Sequence, residues 1–357
     1  MKLYWLLCFL PLGSGFINNK PRPRITAFTC EKHSKGENEA QRMERSFRPT
    51  FLNEVEESQE EQTNMGYFVV EKGQALLKIS RIDKNFIPVS LLSVVSGLAV
   101  RPHAWSEWIH SPPFLAAAFM LHLMTSASMI LNDIQDYDVD CINNPSRPLI
   151  TGVLTIPEAT VVTVCMFSLY TYLGIQYLPP ILDPIWSLAL GIVTVYTPVL
   201  KKICFVKNLS CASVIALSVP FVGFSVINPL EPTLPDFHWL FLTTRIVFTT
   251  SLFIEMLLDI TDMKGDRASN ISTVPVVLGE PITLCILTGI LSSSLWVSIS
   301  EARNKMEMGI ILFTYVPLYY QLFMVHKHTY QKSVIIDAVK KTTVQLGLYL
   351  SMMMFNQ

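Results

Sequence analysis

The chain has 357 residues, 50% apolar and 15% charged, with a mean hydropathy of +0.39. Soluble domains carry about 25% charged residues, so the composition disfavours a purely soluble fold. The formal net charge is −1 and no basic stripe interleaves with aromatics, which leaves no footing for nucleic-acid binding. Seven cysteines (Cys8, Cys30, Cys141, Cys165, Cys204, Cys211 and Cys285) lack C-x-x-C or metal spacing and read as small apolar fillers.

In chain order, residues 1–15 set Lys2 before "LYWLLCFLPL" and then "GSG", the layout of a signal peptide. The run of ten apolar residues is too short to span ~30 Å of hydrocarbon. Residues 16–76 hold "NNKPRPR" and "EVEESQEEQTN", too polar to bury a core, and are expected to be a disordered leader. Phe16 followed by a basic segment resembles the bipartite leader of algae with complex plastids. That implies a plastid membrane, with an ER-derived membrane as the rival destination.

Residues 77–357 form the working domain. Nine apolar runs recur, at Phe86–Val100, Pro113–Leu131, Leu154–Leu178, Ile181–Leu200, Leu209–Ile227, Trp239–Leu258, Pro281–Ile299, Met308–Val325 and Thr342–Phe355. Lipid offers no partner to open strand edges, so the predicted fold is all-α, a polytopic bundle of nine spanning helices. Basic residues concentrate in the loops after runs two, four, six and eight, among them Arg147, Lys201, Lys202, Lys207, Lys264 and Arg267. By the positive-inside tendency these loops share the cytoplasm-equivalent side.

On that side lie two acidic clusters. "NDIQDYDVD" places Asn132, Asp136 and Asp140 at i, i+4 and i+8, on one helical face, while Asp133 and Asp138 point elsewhere. "EMLLDITDMKGD" places Glu255, Asp259, Asp262 and Asp266 at spacings of four, three and four. Charge beside hydrocarbon is costly. A hard cation relieves it, and Mg²⁺ binds carboxylates together with substrate phosphates. With apolar spans beneath to receive a tail, the pattern points to a prenyl diphosphate. Glu255 and Arg245 fall within the sixth run and are functional candidates as intramembrane charges; Glu255 is expected to face the acceptor, while snorkelling alone accounts for Arg245.

These stretches resemble the UbiA-type superfamily of intramembrane prenyltransferases. The first motif, N-D-x-x-D-x-x-x-D, is complete from Asn132 to Asp140 and runs on into "INNPSRPLITG". The second, D-x-x-D-x-x-G-D, stands at Asp259, Asp262, Gly265 and Asp266. A third element is "VYTPVLKKICFVKNLS", with Tyr196, Lys201, Lys202 and Lys207. The resemblance implies Mg²⁺-dependent prenyl transfer to a lipophilic acceptor. It implies one Mg²⁺ on Asn132, Asp136 and Asp140, and another on Asp262 and Asp266 with Asp259 in support. It puts Lys201, Lys202 and Arg147 on the diphosphate, and makes Asp136, Asp262, Glu255 and Tyr196 the catalytic candidates.

The acceptor stays open. Homogentisate enzymes usually carry N-Q where Asn132-Asp133 stands, and "YDVDCINNPSRP" departs from chlorophyll synthases. "LLDITDMKGDRASNISTVP" is similar to glycerophosphate- and quinone-lipid enzymes. The rival functions are a terpene cyclase on the same scaffold, a chlorophyll synthase-like esterification, and an ion-path transporter.

Overall fold

Three of the apolar runs begin their helices on side-chain caps. Ser111 accepts from the Phe114 N–H ahead of Pro112–Gln135 (α2), with prolines in the first turn. Thr155 and Glu158 form a reciprocal capping box at Ile156–Tyr177 (α3). Asn304 caps Lys305–Lys327 (α8) through the Glu307 N–H. The other long helices are Ile82–Leu98 (α1), Asp183–Tyr196 (α4), Val206–Ser225 (α5), His238–Ala268 (α6), Glu280–Ser300 (α7) and Lys332–Phe355 (α9). The computed structural model describes residues 70–137, 140–141, 144–196, 198–227, 235–268 and 271–355; the signal-like segment, nearly all of the leader and the plastid address lie outside them. The described residues from Ala75 onward belong to one compact unit, and residues 70–74, described as helix, fall outside it.

Among the described residues there is no strand, and the nine long helices answer the nine apolar runs one for one. The all-α membrane architecture stands, and among the described residues length and apolarity by themselves mark fewer than nine of these helices as spans. Six helices (α2, α3, α5, α6, α7 and α8) are long and apolar enough to cross, and a seventh is reached if α1 and residues 102–108, bent by 113°, are one span. α4 has only 14 residues, whereas ~30 Å of hydrocarbon needs about 20. α9 begins at Lys332, so Asp337, Lys340 and Lys341 dilute its apolar stretch.

α6 packs most extensively on α5, and α2 on α3. The approach is close at Gly223 of α5, where a Cβ would lie 2.4 Å from Leu240 Cδ1 and 3.2 Å from the Ser96 carbonyl oxygen. A second apolar cluster joins Ala75 and Ile79 to Ile130, Leu149, Leu154 and Ala159, and fixes the segment after α2 against its base. The five described cysteines are free thiols, and of these only Cys211 is buried. The filler reading holds for Cys211 and, partly buried against the same core, for Cys204; Cys165 and Cys285 sit on α3 and α7, helices that bury little of their surface.

Candidate active site

Both acidic motifs stand at helix C-termini. α2 ends at Gln135 with Asp136 as its C-cap, and α6 carries Asp259, Asp262 and Asp266 in its last turns. A helix C-terminus already bears partial negative charge, so carboxylates there gain nothing from the dipole and need cations from elsewhere. The structure supplies cations to both motifs.

Around the first motif, Asp133 is buried and accepts from Arg81 Nη2 at 2.9 Å and Arg147 Nη1 at 2.7 Å. Arg147 also bonds Asp140, which accepts from Asn144 Nδ2 at 3.0 Å. Lys201 Nζ reaches both oxygens of Asp136, at 2.7 and 2.6 Å. Around the second motif, Lys207 Nζ lies 2.6 Å from Asp259 Oδ1, and Asn208 Nδ2 donates to Oδ2 at 2.8 Å. Asp266 Oδ2 is 4.0 Å from Lys207, and Thr261 Oγ1 donates to Asp262 at 3.0 Å. Lys207 and Asp259 are 4% and 0% exposed, so this ion pair is formed almost without water.

One turn before Asp259, Glu255 is buried beside Tyr196 and Cys211. This inner layer underlies the second motif. Outside the spans, burial and the Asp259 charge push the Cys204 thiol above its usual range.

Two backbone positions deliver the cations. Arg81 holds a left-handed conformation, φ 55° and ψ 26°, as the N-cap of α1, and Phe205 has φ 64° as the N-cap of α5, two residues before Lys207. They are two of the four non-glycine residues with positive φ among those described. Such a conformation costs an L-residue about 1–2 kcal/mol, and strain of this kind persists where the surroundings over-determine it.

Of the sequence-derived candidates, Asn132, Asp136, Asp140, Arg147 and Lys201 gather at the first motif. Asp259, Asp262, Asp266, Glu255 and Tyr196 gather at the second. Lys202 is exposed and joins none of the described ion pairs. Asp138 lies outside the described residues. Asp133 does not point elsewhere: it is the most heavily paired carboxylate of the first motif. Lys207 is an ion-pair partner rather than a loop charge, and Arg81 and Asn208 join the set. Arg245 is not simply snorkelling, since it bonds Glu301 at the opposite end of α6. Their signal in the sequence was weak: a basic or amide residue at the first turn of an apolar run. Among the described residues, no three of His, Cys, Asp and Glu gather closely enough to hold a metal ion by themselves.

The chain is 28% identical to the digeranylgeranylglyceryl phosphate synthase of Methanothermobacter thermautotrophicus over 207 residues, 57% of this chain and 68% of that one. It is 27% identical to the synthase of the same name from Saccharolobus solfataricus over 183 residues, 49% of this chain and 60% of the relative's own length. A solved digeranylgeranylglyceryl phosphate synthase superposes with a TM-score of 0.64 at 18% identity, covering 80% of this chain and 98% of that one. A UbiA homologue from Archaeoglobus fulgidus, solved with DMAPP and Mg²⁺, superposes with a TM-score of 0.58 at 15% identity, covering 79% and 99%. These relatives, archaeal where the source is given, lend no support to a plastid address. The UbiA prenyltransferase family model matches residues 90–335, more than half of the chain, and the chain belongs to that family.

Proposed function

We propose that the protein transfers a prenyl group of the geranylgeranyl class from its diphosphate to a lipophilic acceptor, using Mg²⁺, with residues 77–357 as the catalytic domain and 1–15 and 16–76 as a two-part leader. The observation that carries this reading is the pair of carboxylate groups at the ends of α2 and α6, each already matched to cations. The donors are oxygens throughout, which suits a hard ion. Mg²⁺ usually takes one or two carboxylates and completes its shell with water and substrate phosphate, so the grouping seen here fits. The first motif offers Asn132, Asp136 and Asp140, and the second Asp262 and Asp266 with Asp259 in support. Bound there, Mg²⁺ would neutralise charge on the departing diphosphate.

The chain's own residues do the rest. Lys201 and Arg147 exchange their carboxylate partners for diphosphate oxygens. The C1–O bond breaks, its electron pair leaves with the diphosphate, and the acceptor nucleophile bonds to C1. Where that nucleophile is a hydroxyl, its proton passes to the Glu255 carboxylate, and Tyr196 orients the acceptor from the same buried layer. The apolar bundle excludes the water that would otherwise capture C1.

The relatives' name supports a prenylated glyceryl phosphate as acceptor; a quinone precursor is the second candidate, favoured by the same second-motif likeness. The test incubates purified protein with geranylgeranyl diphosphate, Mg²⁺ and each acceptor in turn, and identifies products by mass. An adduct with the glyceryl phosphate supports the reading. An adduct only with the aromatic acceptor replaces it with the second, and a cyclic hydrocarbon with no acceptor added rejects both.

A further inference from the structure

A cavity of about 970 Å³ lies at the other end of α6 from the carboxylates. His238 lines it, and Asp259 follows 21 residues later, about 31 Å along a helix. The cavity therefore belongs to the opposite membrane face. It exists because α4 is short and packs on α5, leaving a gap beside the first half of α6. Leu188, Ile192, Ala216, Leu217 and Phe248 form apolar walls. Leu188 and Phe241 on the lining are each 53% exposed, so the gap opens sideways where the neighbouring helices are of spanning length.

One end is charged. Arg303 bonds Asp236 through both terminal nitrogens, and Arg245 bonds Glu301 and approaches Ser298. All four charged residues line the cavity. Outside the spans, the hydrogen bond from Arg303 holds the Asp236 carboxyl below its ordinary range, so it stays ionised at neutral pH. Each guanidinium has five N–H donors, of which these contacts use two, and the remainder are available to a phosphate.

We infer that this cavity is a lipid site that takes one chain of a zwitterionic aminophospholipid, its phosphate on Arg245 and Arg303 and its ammonium on Asp236 and Glu301. The charge balance selects the headgroup. Two cations interleaved with two anions complement a head that carries both signs. A purely anionic head would face both carboxylates, and a neutral diacylglycerol would leave both ion pairs unused. Arg245 is the intramembrane charge that prenyl transfer does not employ, and its contacts to Glu301 and Ser298 leave three of its N–H donors for a headgroup.

The test titrates detergent-purified full chain with phosphatidylethanolamine, phosphatidylglycerol and diacylglycerol, and reads bound lipid by native mass spectrometry and the thermal midpoint. One phosphatidylethanolamine should be retained about tenfold more tightly than either of the others. Leu217→Trp, which fills the apolar half, should remove the bound lipid. The paired change Arg245→Gln with Glu301→Gln should keep a lipid but lose the preference for phosphatidylethanolamine. Equal retention of the three lipids, a preference for phosphatidylglycerol, or unchanged binding by a folded Leu217→Trp variant would overturn the inference.

Discussion

Lys201, on the connection between α4 and α5, and Lys207, in the first turn of α5, stand six residues apart and bond opposite acidic motifs: Lys201 takes Asp136 and Lys207 takes Asp259. Six residues of chain reach at most about 20 Å. One short segment thus ties the end of α2 to the end of α6, and it sets the distance across which a diphosphate would be held.

The first consequence concerns turnover. Lys201 is half-buried and Asp136 is open enough to exchange partners. A hydrogen bond to a charged group contributes about 1.5–3 kcal/mol, so Lys201→Met should lower kcat/KM by roughly 10- to 100-fold. The loss should appear mainly as a higher KM for the prenyl diphosphate, with the acceptor KM unchanged, in steady-state assays that vary each substrate separately.

The second concerns stability. The Lys207–Asp259 pair is sealed from solvent. Removing one partner leaves an uncompensated buried charge, so Lys207→Met should destabilise the protein by about 3–5 kcal/mol. Replacing both residues with apolar ones of similar volume should recover most of that loss. Unfolding in detergent of the two single variants and the double variant checks the coupling.

The third separates backbone from side chain at Arg81. Its left-handed conformation suits glycine, whereas alanine pays the same steric cost as arginine without the ion pair to Asp133. Arg81→Gly should therefore be more stable than Arg81→Ala by about 1 kcal/mol. Both should lose activity alike, because both lose the guanidinium.

The fourth follows from Cys204. Burial, and after it the Asp259 charge, raises its thiol pKa, so thiolate is scarce at neutral pH and alkylation should be slower than for a free cysteine. Neutralising the carboxylate with Asp259→Asn lowers that pKa and should speed the reaction. Alkylation rates against pH, in a chain whose other cysteines are replaced, should show the profile moving to lower pH.

Much of the site was legible because the motifs obey helical spacing up to the point where the helices end. Asp136 and Asp140 lie at i+4 and i+8 from Asn132, and both are found in the first group. The same rule misplaced Asp133: α2 stops at Gln135, and the partners of Asp133 come from the N-cap of α1 and from the segment after α2, not from its own helix. Lys207 was ambiguous for a related reason. A lysine at the start of an apolar run looks like a loop charge until a left-handed Phe205 turns it inward. The nine apolar runs give nine helices, but hydropathy reports composition and not helix length, so the runs do not show which helices are long enough to cross. Residues Pro179, Pro180 and Pro198 bracket α4 and cut it to 14 residues, although the apolar run continues beyond it.

The central claim is that the carboxylates at the ends of α2 and α6 act together on one prenyl diphosphate. The most direct measurement follows radiolabelled geranylgeranyl diphosphate through the wild-type chain, Asp136→Asn and Asp262→Asn, with and without Mg²⁺ and a glyceryl phosphate acceptor, scoring both diphosphate release and labelled adduct. The account predicts Mg²⁺- and acceptor-dependent adduct from the wild type and neither adduct nor diphosphate from either variant, with all three proteins folded. Full adduct formation by both variants, or diphosphate release with a cyclic hydrocarbon and no acceptor, would contradict it.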